Sequence, residues 1–555
     1  MLNAMQGWER PFKGDTDEAL AKTLPNVLQT RRWFGGKARR IETVRIVESI
    51  VIPTGSVTKL LLICVEYENG GGEMYTLPVT AAFGEEADRI QRDFPQAVIA
   101  PLMVQHNGRE QPGLMYEALW NRDFTLALLQ AIRQGARFNG FEGCLIASCT
   151  NAFADLVPVE VPLEPAVMKA DQSNTSIVYG GSVVLKLYRR LEEGTNLDVE
   201  IGRVLTNMHF PYTPPIAGVL EYQRESGKRF TLALLQQFVR NDGDAWRYSL
   251  EAVDQFIARV IAGKLGDERP PKNDLTLLDL ARNDYPLLAR QLIGPYLESA
   301  ERLGQRTAEL HLALSQVVDD PAFVLEPLTM EYRRERYDSM VRSMAGTLAL
   351  LQERMERLST IGQASAQRLF NLKPALEQTF NSFKNLESPI PRIRCHGDYH
   401  LGQLLCTGTD FMIIDFEGEP ARSLAERRTK HPALMDVAGM IRSFYYAPFA
   451  FLEEKRIGVA VASPATPPES VMWARFWSEW ASAAFLKSYL GIAAGARFWP
   501  KNGKDVRLLL DVYLVEKATY ELQYELNNRP HWVEIPLQGL VEILNTTGRA
   551  SCDRA

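Results

Sequence analysis

Asp398, Gln403 and Asp415 are the residues whose types and spacing point most directly to chemistry. They fall in Cys395-His396-Gly397-Asp398-Tyr399-His400-Leu401-Gly402-Gln403 and the following Met412-Ile413-Ile414-Asp415-Phe416-Glu417-Gly418. An Asp, an amide five positions on and a second Asp after a short apolar strand form a pattern used for phosphoryl transfer. That reaction asks for an acceptor hydroxyl held in line and for counter-charge on the phosphates. Asp398 is the candidate to orient the hydroxyl and take its proton. Gln403, Asp415 and Glu417 are candidate ligands of Mg²⁺, a hard cation that prefers oxygen. Gln403 stands where protein kinases carry Asn, which moves the amide oxygen out by one methylene. The triplet His-Gly-Asp alone is common in proteins without such a role, and the spacing, the strand and Asp415-Phe416-Glu417 carry the reading. His396 and His400 read as braces of the loop rather than proton carriers. A metal-dependent hydrolase is the rival, but nothing in the chain resembles HExxH.

The nucleotide side is expected earlier in the chain. Val183-Val184-Leu185-Lys186-Leu187 reads as a buried strand with one lysine, which is costly unless paired. In a kinase arrangement such a lysine meets phosphates and a helix Glu. Glu200, in the helical stretch Leu197 to Met208, is the candidate partner, with Glu192 and Glu193 as rivals. The alternative for Lys186 is an edge-strand lysine snorkelling to water. Ser173, Asn174 and Thr175, in the turn Asp171 to Ser176, either cover phosphates or form an ordinary turn. Gln237 and Val239, in the connection Leu234 to Val239, are candidates to meet adenine through the backbone.

These residues need elements to hold them. Up to residue 150 the pattern is a compact α+β module: a helix around Glu18 to Thr30, strands at Ile41 to Ile52, Val57 to Tyr67 and Met74 to Val79, and a helix around Thr125 to Gln134. Asn69-Gly70-Gly71-Gly72 is a hairpin signal. Prolines at 158, 162 and 165 mark a linker or edge. A β-meander follows, with strands Ala166 to Ala170, Thr175 to Tyr179 and Val183 to Tyr188. Beyond about residue 240 the chain reads as helical, including Pro295 to Val317, Ala366 to Asn381 and Val506 to Asn527, with loops at Asp267 to Lys272 and Ser463 to Glu469. The fold class is α+β and two-lobed, with units at 1–150, 151–240 and 241–555.

Composition narrows the class. The 555 residues are 46% hydrophobic and 23% charged with a net charge of −6, which is ordinary for a globular protein and gives no basic footprint for nucleic acid. Six scattered cysteines without a CxxC pair read as reduced thiols. No apolar run approaches a membrane span, and the start MLNAMQGWERPFKGD lacks a signal-peptide core, so the cytoplasm is the expected location.

The stretch from Glu516 to Glu525 places Lys517, Tyr520, Glu521 and Tyr524 on one helix face. Tyrosines suit sugar rings, and Lys and Glu suit hydroxyls; an amphipathic surface helix with an i,i+4 ion pair is the alternative. Asp436, Arg442 and Arg428 are further pocket candidates, although Asp436 could cap a helix and Arg442 could pair with it.

His396 to Gln403, Ile414-Asp415-Phe416-Glu417-Gly418-Glu419-Pro420-Ala421-Arg422 with Leu424 to Arg428, and Asp436 to Phe444 resemble the bacterial maltokinases, within the aminoglycoside-phosphotransferase-like kinases. Arg32-Trp33-Phe34-Gly35-Gly36-Lys37 resembles the start of their N-terminal cap. The likeness runs from about residue 20 to 540. It implies a protein-kinase-like fold with an N-terminal α+β cap, ATP as donor, Mg²⁺ as cofactor, maltose as acceptor and maltose 1-phosphate as product. It implies that the product feeds α-glucan synthesis from trehalose-derived maltose, through association or fusion with trehalose synthase. The Lys517 to Tyr524 face resembles the family's maltose-contacting face. Trp33 to Lys37 either closes over the nucleotide loop or packs the cap. Two rivals stay open: the same fold acting on glucosamine or another amino sugar or aminoglycoside, and a pseudokinase that binds partners without transferring phosphate.

Overall fold

The protein is described by a computed structural model covering residues 2–4, 15–55, 57–106, 109–158, 163–168, 173–263, 265, 269–271, 275–387, 389–458 and 468–552. It divides into two compact units, Met1–His209 with Pro214–Arg240, and Phe210–Thr213 with Asn241–Ala555.

The first unit holds two seven-stranded sheets. One runs in the order Leu2–Ala4, Val98–His106, Arg109–Glu117, Gly72–Phe83, Thr58–Tyr67, Ile41–Ile52, with Arg190–Leu191 beside Gly72–Phe83. Its long strands are rich in β-branched and aromatic residues, and the glycine-rich turn joins two of them in register, Glu66 opposite Gly72. The helix Asp15–Thr30 lays Leu20, Leu24 and Leu28, all buried, along this sheet's core. Trp33 and Phe34 are buried against Tyr75, with ring centroids at 6.0 and 5.2 Å. A Cβ on Gly36 would lie 2.2 Å from the Tyr67 hydroxyl, so only glycine passes there. Of the two readings of this segment, the structure displays packing.

The second sheet runs Arg137–Asn139, Gly143–Cys149, Ile216–Arg224, Arg229–Gln237, Val183–Tyr188, Asn174–Tyr179, Pro165–Val167. The first two strands lie before residue 150, so the change of sheet comes earlier than the expected boundary. Two buried polar contacts join the sheets within this unit. Glu48 accepts hydrogen bonds from the backbone N–H groups of Phe141 and Glu142 and from Tyr222, at 2.6, 2.9 and 2.7 Å. Glu117 meets Arg31 at 3.0 Å and Arg189 at 2.6 Å, and Arg189 stacks over Trp33.

The second unit is mainly helical. Among its helices are Ala245–Ala262, Tyr296–Gln316, Met330–Arg354, Leu434–Gly458, Pro468–Ala493, Gly503–Asn528 and Glu534–Cys552. The single helix expected over Ala366 to Asn381 is two, Thr360–Asn371 and Lys373–Ser382. Pro374 explains the break: it has no N–H for the preceding turn and stands in the first turn of the second helix. Pro468 likewise opens a helix that takes in the expected loop residue Glu469. Asp267, Glu268, Lys272, residues 463–467 and, in the first unit, Ala170, Asp171 and Gln172 lie outside the described residues. The short hairpin Leu404–Thr407 with Asp410–Ile413 carries the chain from the Asp398 loop to Asp415. No described helix is long and apolar enough to cross a membrane.

Candidate active site

The loop at Asp398 is held from beneath by one buried carboxylate. Asp436, in the helix Leu434–Gly458, accepts from the backbone N–H of His396 at 2.8 Å and of Gly397 at 3.0 Å. Burial raises the Asp436 carboxyl, but His311, His396 and these backbone donors outweigh it and hold it below the usual range. His311 braces it, with Nε2 at 3.0 Å from Asp436 and Nδ1 at 2.9 Å from the Tyr489 hydroxyl. His396 faces the Ile414 carbonyl with Nε2 at 3.0 Å, while its Nδ1 lies 3.4 Å from the Asp398 N–H. Those partners require the tautomer protonated at Nε2. His396 thus ties the Asp398 loop to the residue before Asp415. Tyr399 hydrogen-bonds Thr307 at 2.9 Å, and its carbonyl lies where a Cβ on Gly439 would be 2.5 Å away.

Asp398 projects from this platform. Lys517 Nζ donates to Asp398 Oδ1 at 3.1 Å, and His400 Nε2 lies 3.9 Å from Oδ2. Burial would raise the Asp398 carboxyl, yet Lys517 and, after it, His400 and His396 bring it below the ordinary carboxylate range. Burial likewise works against Lys517, but Asp398, Glu419 and Glu521 raise its pKa. His400 goes the other way: burial lowers its pKa, and its Nδ1 accepts from the Gly402 N–H at 3.1 Å. The group is therefore an ionised carboxylate beside an ammonium.

Asp398, Lys517, Tyr520 and Asp436 line one cavity of 40 Å³ together with Glu419, Arg422, Glu516 and Arg336. That space holds about one or two waters, so it admits a hydroxyl rather than a whole sugar. Its far wall is an ion-pair chain in which Arg422 lies 2.7 Å from Glu419 and 3.7 Å from Glu516, which also meets Arg336. Glu516 Oε2 is buried with no hydrogen-bond partner. Arg336 and Glu516 were not legible as site residues, because nothing local in sequence joins positions 180 apart. Glu419 and Arg422 belong to the extended motif and gain a role only from this geometry.

Other expected pocket residues lie outside this cavity. Glu521 is bound to Arg442 at 2.6 Å with the guanidinium buried, so the structural partner of Arg442 is Glu521 rather than Asp436. Tyr524 lies tilted against Tyr520, with ring centroids 6.4 Å apart, and is exposed. Arg428 caps the helix Leu424–Arg427, and its carbonyl accepts from Arg394.

Asp415 follows the hairpin with φ of +66°, a left-handed backbone that few non-glycine residues adopt. It turns the carboxylate so that an oxygen of Asp415 and one of Glu417 lie within 4.8 Å. Carboxylate oxygens are the ligands a hard cation such as Mg²⁺ prefers, so the chemistry of the pair fits one. Gln403 is half-buried at the end of the turn Leu401–Gln403 that leads directly into the hairpin, and its carbonyl accepts from the Ile414 N–H at 3.0 Å.

In the first unit Lys186 Nζ lies 3.2 Å from Asp198, in the first turn of the helix Leu197–Asn207. Asp198 was not singled out, since an acidic residue there also reads as ordinary first-turn charge. Glu200 is on the same helix, two positions on. Ser173 is exposed; Asn174 begins a strand, and Thr175 Oγ1 accepts from Arg189 at 2.8 Å. Gln237 ends its strand with its N–H on the Pro215 carbonyl, and Val239 follows in the connection.

A kinase-like α+β fold carrying this loop defines a class: a phosphotransferase with an alcohol group as acceptor. Residues 28–120 match the family model of the maltokinase N-terminal cap domain. A glucosamine kinase of Streptacidiphilus jiangxiensis is 26% identical over 379 residues, 67% of this chain and 72% of its own. A glucosamine kinase of Mycolicibacterium smegmatis (strain ATCC 700084 / mc(2)155) is 22% identical over 274 residues, 49% of this chain and 56% of its own. Among solved structures, a glucosamine kinase in complex with glucosamine, ADP and inorganic phosphate superposes with a TM-score of 0.60 at 18% identity, over 96% of this chain and 100% of the other. Residues 28–120 thus resemble a maltokinase cap, and the fold of the chain is similar to that of a solved glucosamine kinase.

Proposed function

We propose that the protein transfers the γ-phosphate of ATP to the anomeric hydroxyl of maltose, giving maltose 1-phosphate and ADP. The observation that carries the reading is the Asp398–Lys517 pair at the mouth of a hydroxyl-sized cavity. In this reading Asp398 aligns the hydroxyl and takes its proton as the oxygen bonds to phosphorus and the bond to ADP breaks. Lys517 keeps that carboxylate ionised and directs its second oxygen to the acceptor. Tyr520, Glu419 and Glu516 hold the sugar edge. Lys186, set by Asp198, meets the donor phosphates. Asp415, Glu417 and Gln403 would hold Mg²⁺, which when bound neutralises charge on the phosphates.

Two observations support a neutral sugar. The matching cap is that of maltokinases, and the carboxylates Glu419 and Glu516 already carry guanidinium partners, with Lys517 adding a further positive charge beside the acceptor. Maltose supplied by trehalose synthase and a role in α-glucan synthesis, in the cytoplasm, belong to this reading. A second reading has its own support. The relatives above are named glucosamine kinases, and the unpartnered Glu516 Oε2 could take an ammonium. Phosphorus NMR of the product separates them: an anomeric phosphodoublet formed from maltose supports the first, and turnover confined to glucosamine overturns it. Removing Mg²⁺ with chelator should abolish turnover in either case. ATP binding with no phosphorylated product from any sugar would favour a pseudokinase.

A further inference from the structure

The helix Gly503–Asn528 presents Tyr513, Glu516, Lys517 and Tyr520 to the cavity at Asp398, at i, i+3, i+4 and i+7. The face read from the sequence begins at Lys517; the cavity extends it one turn toward the helix N-terminus, to Tyr513. Arg336, from the helix Met330–Arg354, lines the same cavity and is paired with Glu516.

Three polar atoms of these residues are buried without a hydrogen-bond partner among the described residues: Arg336 Nε, the Tyr513 hydroxyl oxygen and Glu516 Oε2. Tyr513 is 2% exposed and the Arg336 side chain 10%, so neither is a surface group. Arg336 and Arg422 both address Oε1 of Glu516, which leaves Oε2 unbonded. Burial pushes the Tyr513 phenol well above its ordinary value, so it keeps its proton and can donate. Buried polar groups are ordinarily paired, and an unpaired one destabilises. Three of them around one small cavity point to a group that enters it.

The cluster offers two donors, the Arg336 Nε–H and the Tyr513 O–H, and a carboxylate acceptor. A hydroxyl both accepts and donates, so it answers both kinds. An ammonium only donates; it would leave the Arg336 N–H unpaired and would sit near Arg422 and Lys517, which line the same cavity. The volume of 40 Å³ takes about one or two oxygen-sized groups. The hydroxyl that reaches Asp398 and the one that reaches this cluster therefore belong to neighbouring carbons.

We infer that Arg336, Tyr513 and Glu516 form a specificity subsite that binds the C2 hydroxyl of the acceptor while the C1 hydroxyl lies at Asp398. This subsite presupposes phosphorylation of maltose at its anomeric hydroxyl, as proposed above. It makes a vicinal diol, rather than a hydroxyl beside an ammonium, the unit that the cavity selects.

The test compares kcat/KM for maltose, 2-deoxymaltose and 2-amino-2-deoxymaltose, the last with its amine protonated, in the wild-type chain and in Tyr513→Phe. In the wild type maltose should exceed each analogue by about 10²-fold or more, because an acceptor without the hydroxyl leaves buried polar atoms unpaired. Tyr513→Phe should lower kcat/KM for maltose by about tenfold and leave 2-deoxymaltose nearly unchanged, so the discrimination shrinks by about that factor. No turnover of maltose by the wild type would overturn maltose phosphorylation and the subsite with it. Equal turnover of maltose and 2-deoxymaltose would overturn the subsite alone, leaving the three atoms to solvent. Preference for the amino sugar, or undiminished discrimination in Tyr513→Phe, would also overturn it. The wild-type comparison stands even if Tyr513→Phe fails to fold.

Discussion

At the scale of single residues, the account turns on charges that the local sequence names but does not tune. Lys517 depresses the Asp398 carboxyl against the effect of burial. Removing that ammonium raises the Asp398 pKa, so the acid limb of kcat/KM should move to higher pH in Lys517→Met. A pH–rate profile checks this, and an unmoved acid limb would show that Lys517 does not set the ionisation of Asp398. Asp415 makes a second case. Its φ of +66° costs about 1 kcal/mol or more in a non-glycine residue. Asp415→Gly should therefore leave thermal stability unchanged or raised while metal-dependent ATP affinity is lost; a clear drop in Tm would mean that the carboxylate also holds the fold. Asp398, Gln403 and Asp415 stand out in the sequence because their pattern lies within twenty residues of chain. Asp198, Arg336 and Glu516 do not, because each acquires meaning only from a partner that folding brings to it. Asp436 was legible as important and misplaced in role: it lines the small cavity, but its oxygens serve the backbone of the Asp398 loop.

At the scale of elements, strands read more surely than helix ends. Ile41–Ile52 and Val183–Tyr188 have the bounds that their apolar, β-branched runs suggest. The hairpin between Thr58–Tyr67 and Gly72–Phe83 follows from its glycines. The break at Leu372 was written in Pro374, and helical periodicity on both sides masked it. The early strand Gly143–Cys149 was hidden for a different reason, since its partner Ile216–Arg224 lies some seventy residues on and only folding pairs them. One close approach between elements is open to test. Gly439, in the helix under the Asp398 loop, faces the Tyr399 carbonyl, and a Cβ there would lie 2.5 Å from it. Gly439→Ala should cost about 1–3 kcal/mol of stability by overpacking and should lower kcat by shifting the loop. Urea unfolding and steady-state rates measure both, and a fully active, fully stable variant would mean that the loop is not held by this contact.

At the scale of the whole molecule, the cap and the second sheet form one compact unit, joined by an apolar core that runs from Ile50, Ile52, Leu60 and Leu62 to Leu145, Ile177 and Leu185 and by a few buried charges that nothing in the composition reveals. Glu117 lies between Arg31 and Arg189, all three nearly inaccessible. Burial already lowers the Arg31 pKa, and Glu117 opposes that. Glu117→Gln would strand two guanidinium groups and should destabilise the protein by about 3–5 kcal/mol, read as a lower urea midpoint; a loss under about 1 kcal/mol would show that the cap is attached mainly by apolar packing. The central claim, that the chain phosphorylates maltose with Asp398 as base, is tested most directly by ADP release from ATP and Mg²⁺ with maltose beside glucosamine, glucose, trehalose and maltotriose. The account predicts a maltose-selective signal that falls by about 10²–10⁴-fold in Asp398→Asn. A signal with glucosamine alone, or wild-type turnover in Asp398→Asn, would contradict it.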